Sequence, residues 1–237
     1  MSRSEDESSL AKVVGMGLRK WLNAVRVAVF RGGTPDPTRI YAYQDQWDGE
    51  VDTILTEIGR IGIKAWSSAT DVPPVSRHAF VVSYLADVRN LLVRIPNEVA
   101  DLVFAEITDG TNAGESRDQI AARVDKVLSY TASERWPNRA KVIAQTEVNR
   151  AYGAGTMAAG VEQARVTGRQ LTKRWDTKDD SRVRSPHQEV DGVTVPVWAP
   201  FYVDGVPMQF PGDPSAPPEL VINCRCQLHI GNEVTHG

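Results

Sequence analysis

The hydrophobic period of this 237-residue chain changes once, at Gly168, and that change restricts its fold more than any composition value does. Up to Gly168, apolar residues return at every third or fourth position, a spacing that buries one stripe of a helix. Beyond it they alternate or gather in short β-branched runs between turn residues, which suits strands. The chain therefore reads as α+β. A mainly helical N-terminal two-thirds, built of long amphipathic helices, leads into a small antiparallel-sheet, loop-rich C-terminal module.

The first stripe is Leu10, Val14, Leu18, Trp21, Val25 and Val29, with Arg19, Lys20 and Arg26 on the other faces. Such a helix docks on the rest of the protein or on a partner, a membrane surface being the alternative. Residues 31–38 are dense in glycine and proline and form a hinge. A second stripe runs through Ile40, Tyr43, Trp47, Val51, Ile54, Leu55, Ile58, Ile61 and Ala65, and residues 71–75 close it. Ser76 caps a third helix carrying Phe80, Tyr84, Leu85, Val88, Leu92 and Ile95, broken at Pro96 before Val99, Leu102 and Val103. Residues 109–114 read as a loop. Ser116 and Gln119 have capping-box spacing ahead of a fourth helix with Ile120, Val124, Val127 and Leu128. After Trp136 and Pro137, a fifth helix from Arg139 to about Val166 carries Ala140, Ala144, Val148, Ala151, Gly155, Ala158 and Val161. So many small residues mark it as a buried central helix closed by Gly168.

In the last third, strand-prone segments lie around residues 171–175, 193–198 and 220–230, divided by Asp191 and Gly192, Asp204 and Gly205, and residues 211–214. Charged residues interrupt every apolar run, so none reaches the roughly 18 residues of a membrane span. The acidic start, with Glu5 and Asp6, lacks the basic flank of a secretory signal and points to folding in a cytoplasm. A mutual disulfide between Cys224 and Cys226 would be badly strained, which excludes a disulfide scaffold. A formal charge of −3 gives no global signature for nucleic acid and leaves local basic patches open.

Three constellations carry chemical potential. Glu147 and Arg150 share a helix face and can form a buried ion pair or a modest solvated one. Asp179 and Asp180, with His187 seven residues on, suit a metal or acid–base chemistry if the loop folds back. Otherwise they are turn carboxylates that cap backbone donors and pair with Arg182 and Arg184. If residues 221–230 form a strand, Cys224 and Cys226 point to one face and Arg225 to the other. Two thiolates could then share a metal with His187, Asp213 or His229 being the candidates for a fourth ligand. The competing reading is two small thiols in a reduced core. His78 and His236 have no partner suggested by spacing, and no nucleophile elbow, phosphate loop or dinucleotide fingerprint occurs, so no catalytic residue is assigned.

The order of short motifs is specific. Residues 143–152, 174–187, 191–192, 200–201, 211–214 and 223–226 together resemble the phage Mu F-like minor head protein family over roughly residues 97–230. The resemblance implies a head morphogenesis protein of a tailed bacteriophage: a minor capsid component present in few copies in the virion and associated with the portal or major capsid protein. It would act in capsid assembly and in DNA packaging or delivery, without enzymatic activity. The family motif falls here on Glu147, Arg150, Asp180, Arg182, Arg184, His187, Gly212, Asp213, Asn223, Cys224, Arg225 and Cys226. Some members carry a second cysteine pair where this chain has residues 184–187, and a histidine before the last motif where it has Val221 and Ile222, together resembling a zinc knuckle. This chain keeps His187, Cys224 and Cys226 of such a set, so zinc is the one cofactor considered. Residues 1–96 are expected to be a helical attachment region, and residues 97–237 the Mu F-like domain. Arg165, Arg169, Lys173, Arg174, Lys178, Arg182 and Arg184 could meet genomic DNA phosphates, the alternative being a solvated face. The rival classes are a metal-dependent hydrolase on Asp180, His187, Cys224 and Cys226, and a DNA-binding module independent of any capsid.

Overall fold

The computed structural model describes residues 2–31, 35–72, 77–131 and 136–231, with the backbone alone for 77–83, 136 and 137. In chain order the helices are α1 (Arg3–Val29), a 3-10 helix (Pro37–Tyr43), α2 (Gln44–Ala69), α3 (Arg77–Leu92), α4 (Ile95–Asn112), α5 (Arg117–Tyr130) and α6 (Trp136–Thr167). The C-terminal part follows as β1 (Thr172–Asp176), α7 (Ser185–Glu189), β2 (Thr194–Pro196), β3 (Phe201–Val203), β4 (Val206–Met208), α8 (Pro218–Val221) and β5 (Gln227–Gly231). The fold is α+β, as the change of period implies. No helix among the described residues is long and apolar enough to cross a membrane. The Ser76 cap and His236 lie outside the described residues, as do the side chains of His78 and Phe80.

Residues 8–55 and 89–141 form one compact unit, and residues 1–7, 56–88 and 142–237 the other, so the first 96 residues contribute to both. In the former, every residue of the first stripe is buried. The Trp21 and Trp47 rings meet edge to face at 5.7 Å, and their indole N–H groups donate to the carbonyls of Tyr43 and Leu92, both at 3.0 Å. Large rings thus bury their area without stranding a donor. The capping box on α5 is formed, with Ser116 N–H donating to Gln119 Oε1 at 2.8 Å and Gln119 N–H to Ser116 Oγ at 3.4 Å. Two boundaries differ from the sequence reading. The helix break falls at residues 93–94 rather than at Pro96, because proline is tolerated in a first turn where its missing N–H has no partner to lose. Residues 109–112 continue α4 instead of forming a loop; Gly110 is buried there, where a side chain would collide with Ile120 of α5.

The other unit is organised by α6. A Cβ on Gly155 would sit on the carbonyl oxygen of Gly62 in α2, and 3.0 Å from Ala65 Cβ. One on Gly153 would meet Phe210 at 2.7 Å, and one on Gly160 would meet Ile230 at 2.6 Å. Three partners therefore approach α6 along three absent side chains. Gly168, with φ of 67°, ends the helix as expected. The following sheet has the order β2-β1-β5, all antiparallel, with Thr172 opposite Pro196 and Gly231. β3 and β4 form a separate hairpin turned at Asp204 and Gly205, both at positive φ, as an Asp-Gly turn favours. Trp175, Phe201, Val203, Met208, Leu220, Val221 and Leu228 pack into the module's core.

The segment 220–230 is not one strand. Pro218 opens the short helix α8, Asn223 turns the chain at φ 57°, and pairing starts only at Gln227. The expected strand at 193–198 pairs only over Thr194–Pro196, and Trp198 is exposed. Gly155→Ala should lower the unfolding free energy by about 2 kcal/mol through forced separation of α6 and α2. Gly49→Ala, with nothing within 4 Å, should raise it by about 0.5–1 kcal/mol. Urea midpoints of the two variants check the contrast.

Candidate functional site

Arg184 enters α7 in an extended conformation and Pro186 sits in its first turn, which turns His187 inward to 2% exposure. The imidazole meets the Trp175 ring edge to face at 5.5 Å. From the other side, the left-handed turn at Asn223 is fastened by its N–H donating to Thr146 Oγ1 at 3.0 Å, and by Cys224 N–H donating to the Val221 carbonyl at 3.1 Å. This turn brings both buried thiols to one nitrogen: His187 Nδ1 lies 3.4 Å from Cys226 Sγ and 3.7 Å from Cys224 Sγ. The convergence expected of a strand is achieved by a turn instead. Hydrogen bonding from Cys226, and then from His187, lowers the Cys224 thiol, while the same sharing raises Cys226.

Arg225, between the cysteines, forks onto Asp180, with both N–O distances 2.6 Å. Asp180 also accepts the Arg182 N–H at 3.0 Å, and these contacts, the Arg225 fork foremost, hold its carboxyl well below the usual range. The turn-carboxylate reading of Asp180 is thus the one formed, with the expected Arg182 pair present at 3.6 Å, but its main partner is Arg225, 45 residues away, and Arg184 does not take part. Arg184 donates to the Ile222 carbonyl at 2.5 Å. Asp179 is exposed in the left-handed region at φ 51°.

The proposed fourth ligands are occupied elsewhere. Asp213 accepts from the backbone N–H groups of Gln209 at 2.7 Å and Ser215 at 3.0 Å, stapling the turn in which Gly212 takes φ 89°. His229 stands on β5 with Nε2 3.1 Å from Asp176 Oδ2. The Glu147–Arg150 pair is buried, at 2.7 Å with both side chains 5% exposed, and burial raises the Glu147 carboxyl. Gly212 packs on Arg150: a Cβ there would be 3.0 Å from Arg150 Cγ and 3.4 Å from its Cα. Asn149 reaches the Pro211 carbonyl at 3.4 Å, so the α6 motif holds the 211–214 turn.

His187, Cys224 and Cys226 fit a metal on geometry. Tetrahedral zinc with ordinary Zn–N and Zn–S bonds places nitrogen and sulfur about 3.6 Å apart, and the observed edges bracket that value.

The basic cluster is divided. Lys173 is fully buried and does not face a phosphate, which corrects its reading as a DNA contact. On β1 it points inward, donating to the Gln209 carbonyl at 2.8 Å and to Gln209 Oε1 at 2.9 Å, with its ammonium 5.3 Å from the Phe201 ring centroid. Arg174 pairs with Asp176 and Arg165 with Glu162, both at 2.7 Å, and Arg182 with Asp180 at 3.6 Å, while Arg169 and Lys178 are exposed. One buried cluster gave no sequence signal. Asp6, fully buried ahead of the first stripe, accepts from Tyr152 Oη at 2.8 Å, from Arg60 at 3.1 Å and from Lys64.

Residues 101–229, more than half the chain, match the model of the phage Mu protein F like family. The chain belongs to this family of phage head morphogenesis proteins. It is also similar to the NAD(+)–arginine ADP-ribosyltransferase EFV of Enterococcus faecalis (strain ATCC 700802 / V583), at 31% identity over 135 residues. That match takes in 57% of this chain and 26% of the relative, so the chain spans about a quarter of that protein's length. No solved structure matches.

Burial lowers the Lys173 ammonium to about 8 from an ordinary 10.5. Between those values the unfolded chain binds more protons, so stability rises with pH by up to about 3 kcal/mol. Urea midpoints at pH 8 and pH 10 should show this rise in the wild type, and Lys173→Met should remove it.

Proposed function

We propose that this protein is a minor component of a tailed-bacteriophage head. It is bound to the portal or major capsid protein inside the capsid near the portal, and acts in head assembly and in DNA packaging or delivery. Residues 97–237 serve as the head morphogenesis domain and residues 1–96 as the attaching region, whose long amphipathic helices suit helix-in-groove docking. The observation that carries this reading is the family match over residues 101–229, which takes in every motif residue from Glu147 to Cys226.

The chemistry of those residues supports a structural rather than a catalytic role. Glu147 is bound to Arg150, Asp180 to Arg225, and Asp213 to the turn it staples. Groups bound to one another inside a module hold its shape. The hydrolase alternative loses Asp180, both of whose oxygens are held by Arg225. Contact with genomic DNA falls in this reading to the exposed Arg169 and Lys178, and to Arg174 and Arg182 once released from Asp176 and Asp180.

Co-expression with the portal protein of the same genome, followed by size exclusion and mass spectrometry, tests the assignment. Co-elution at a fixed stoichiometry is expected. A monomer that ignores both the portal and the major capsid protein would contradict it.

A further inference from the structure

We propose that His187 Nδ1, Cys224 Sγ and Cys226 Sγ bind one zinc ion whose fourth ligand is a water molecule rather than any side chain among the described residues. The three donor atoms lie within 4.8 Å of one another and all three residues are buried. One nitrogen and two sulfurs are the donor set of tetrahedral zinc, and softer thiolates disfavour magnesium, calcium and manganese. The nitrogen–sulfur separations of 3.4 and 3.7 Å match those of a tetrahedral site, and binding requires deprotonation of the thiols.

The fourth position follows from what surrounds the three. Asp213 and His229 are committed to the 209–215 turn and to Asp176, and Asp180 is held by Arg225. Beside the donors lies a cavity of about 10 Å³, lined also by Asn223, Arg184, Arg182 and Lys178. That volume admits about one water molecule. Two thiolates neutralise the ion, and the cationic rim favours an electron-rich oxygen as the remaining ligand.

The consequence is mechanical. The ion joins α7 to the turn before β5, closing loops of 37 and 39 residues that thiol–imidazole contacts alone hold weakly. The inference stands on these distances and does not depend on the role in head assembly.

The test uses the full chain without an affinity tag, stripped of metal under reducing conditions and titrated with cobalt(II) alone. One equivalent should bind with thiolate-to-cobalt charge-transfer absorption and the intense d–d bands of a four-coordinate site. Adding thiocyanate should shift those bands as the anion replaces water. His187→Ala and Cys226→Ser should each weaken binding by more than about 100-fold, beyond the cost of losing a supporting group, whereas His229→Gln should leave it unchanged. The wild-type cobalt spectrum decides the matter even if a variant fails to fold. Absence of charge-transfer bands would overturn the metal site. Bands insensitive to thiocyanate, or lost in His229→Gln, would overturn the water ligand.

Discussion

The close approach of neighbouring elements to α6 is the constraint on which the C-terminal module depends. Gly153, Gly155 and Gly160 leave no room for a side chain, so the 210–211 turn, α2 and β5 each come to rest against helix backbone. At Gly155 and Gly153 the neighbours are the backbone oxygens of Gly62 and Pro211, which fix relative position tightly because no rotamer can yield, whereas at Gly160 the Ile230 side chain lies on the helix. It also sets the height at which Thr146, Asn149 and Arg150 project. Those side chains receive the Asn223 N–H, the Pro211 carbonyl and the Gly212 turn. The helix that looks least chemical in composition thereby positions both loops that carry the motif.

Charge within the module is arranged in pairs. Asp180 and Arg225 meet through a bidentate fork, which fixes direction as well as distance. Because Arg225 is drawn out toward Asp180, the flanking Cys224 and Cys226 are drawn in toward His187. Buried pairs such as Glu147 with Arg150 stabilise little against apolar replacements, but removing one partner strands the other. Such pairs specify one arrangement of loops where a small apolar core alone would tolerate several.

Much of this was legible in the sequence wherever local physics decides. The stripes of α1 and α2, the capping box of α5, the small-residue face of α6 and the Gly168 stop are all set by residues within a few positions of one another. What escaped depends on distant partners. Asp6 precedes any periodic stripe, yet is buried by Tyr152, 146 residues on. Lys173 reads as a surface cation until Gln209 supplies acceptors inside the core. Residues 220–230 alternate as a strand does, but Pro218 and the left-handed Asn223 bend them into a helix and a turn first. Three-residue strands such as β3 and β4 are too short to show a period, so only their Asp-Gly turn was visible. The convergence of His187, Cys224 and Cys226 was foreseeable as a set of donors, though through a turn geometry that alternation did not reveal.

The central claim is that this is a resident of the phage head, and the direct measurement is its abundance in particles. Quantitative mass spectrometry should compare DNA-free proheads with filled virions from cells expressing the genome that encodes it. The account predicts the protein in proheads at a fixed, small number of copies relative to the portal subunit. Its absence from both particles, with all of it free in the lysate, would contradict that claim.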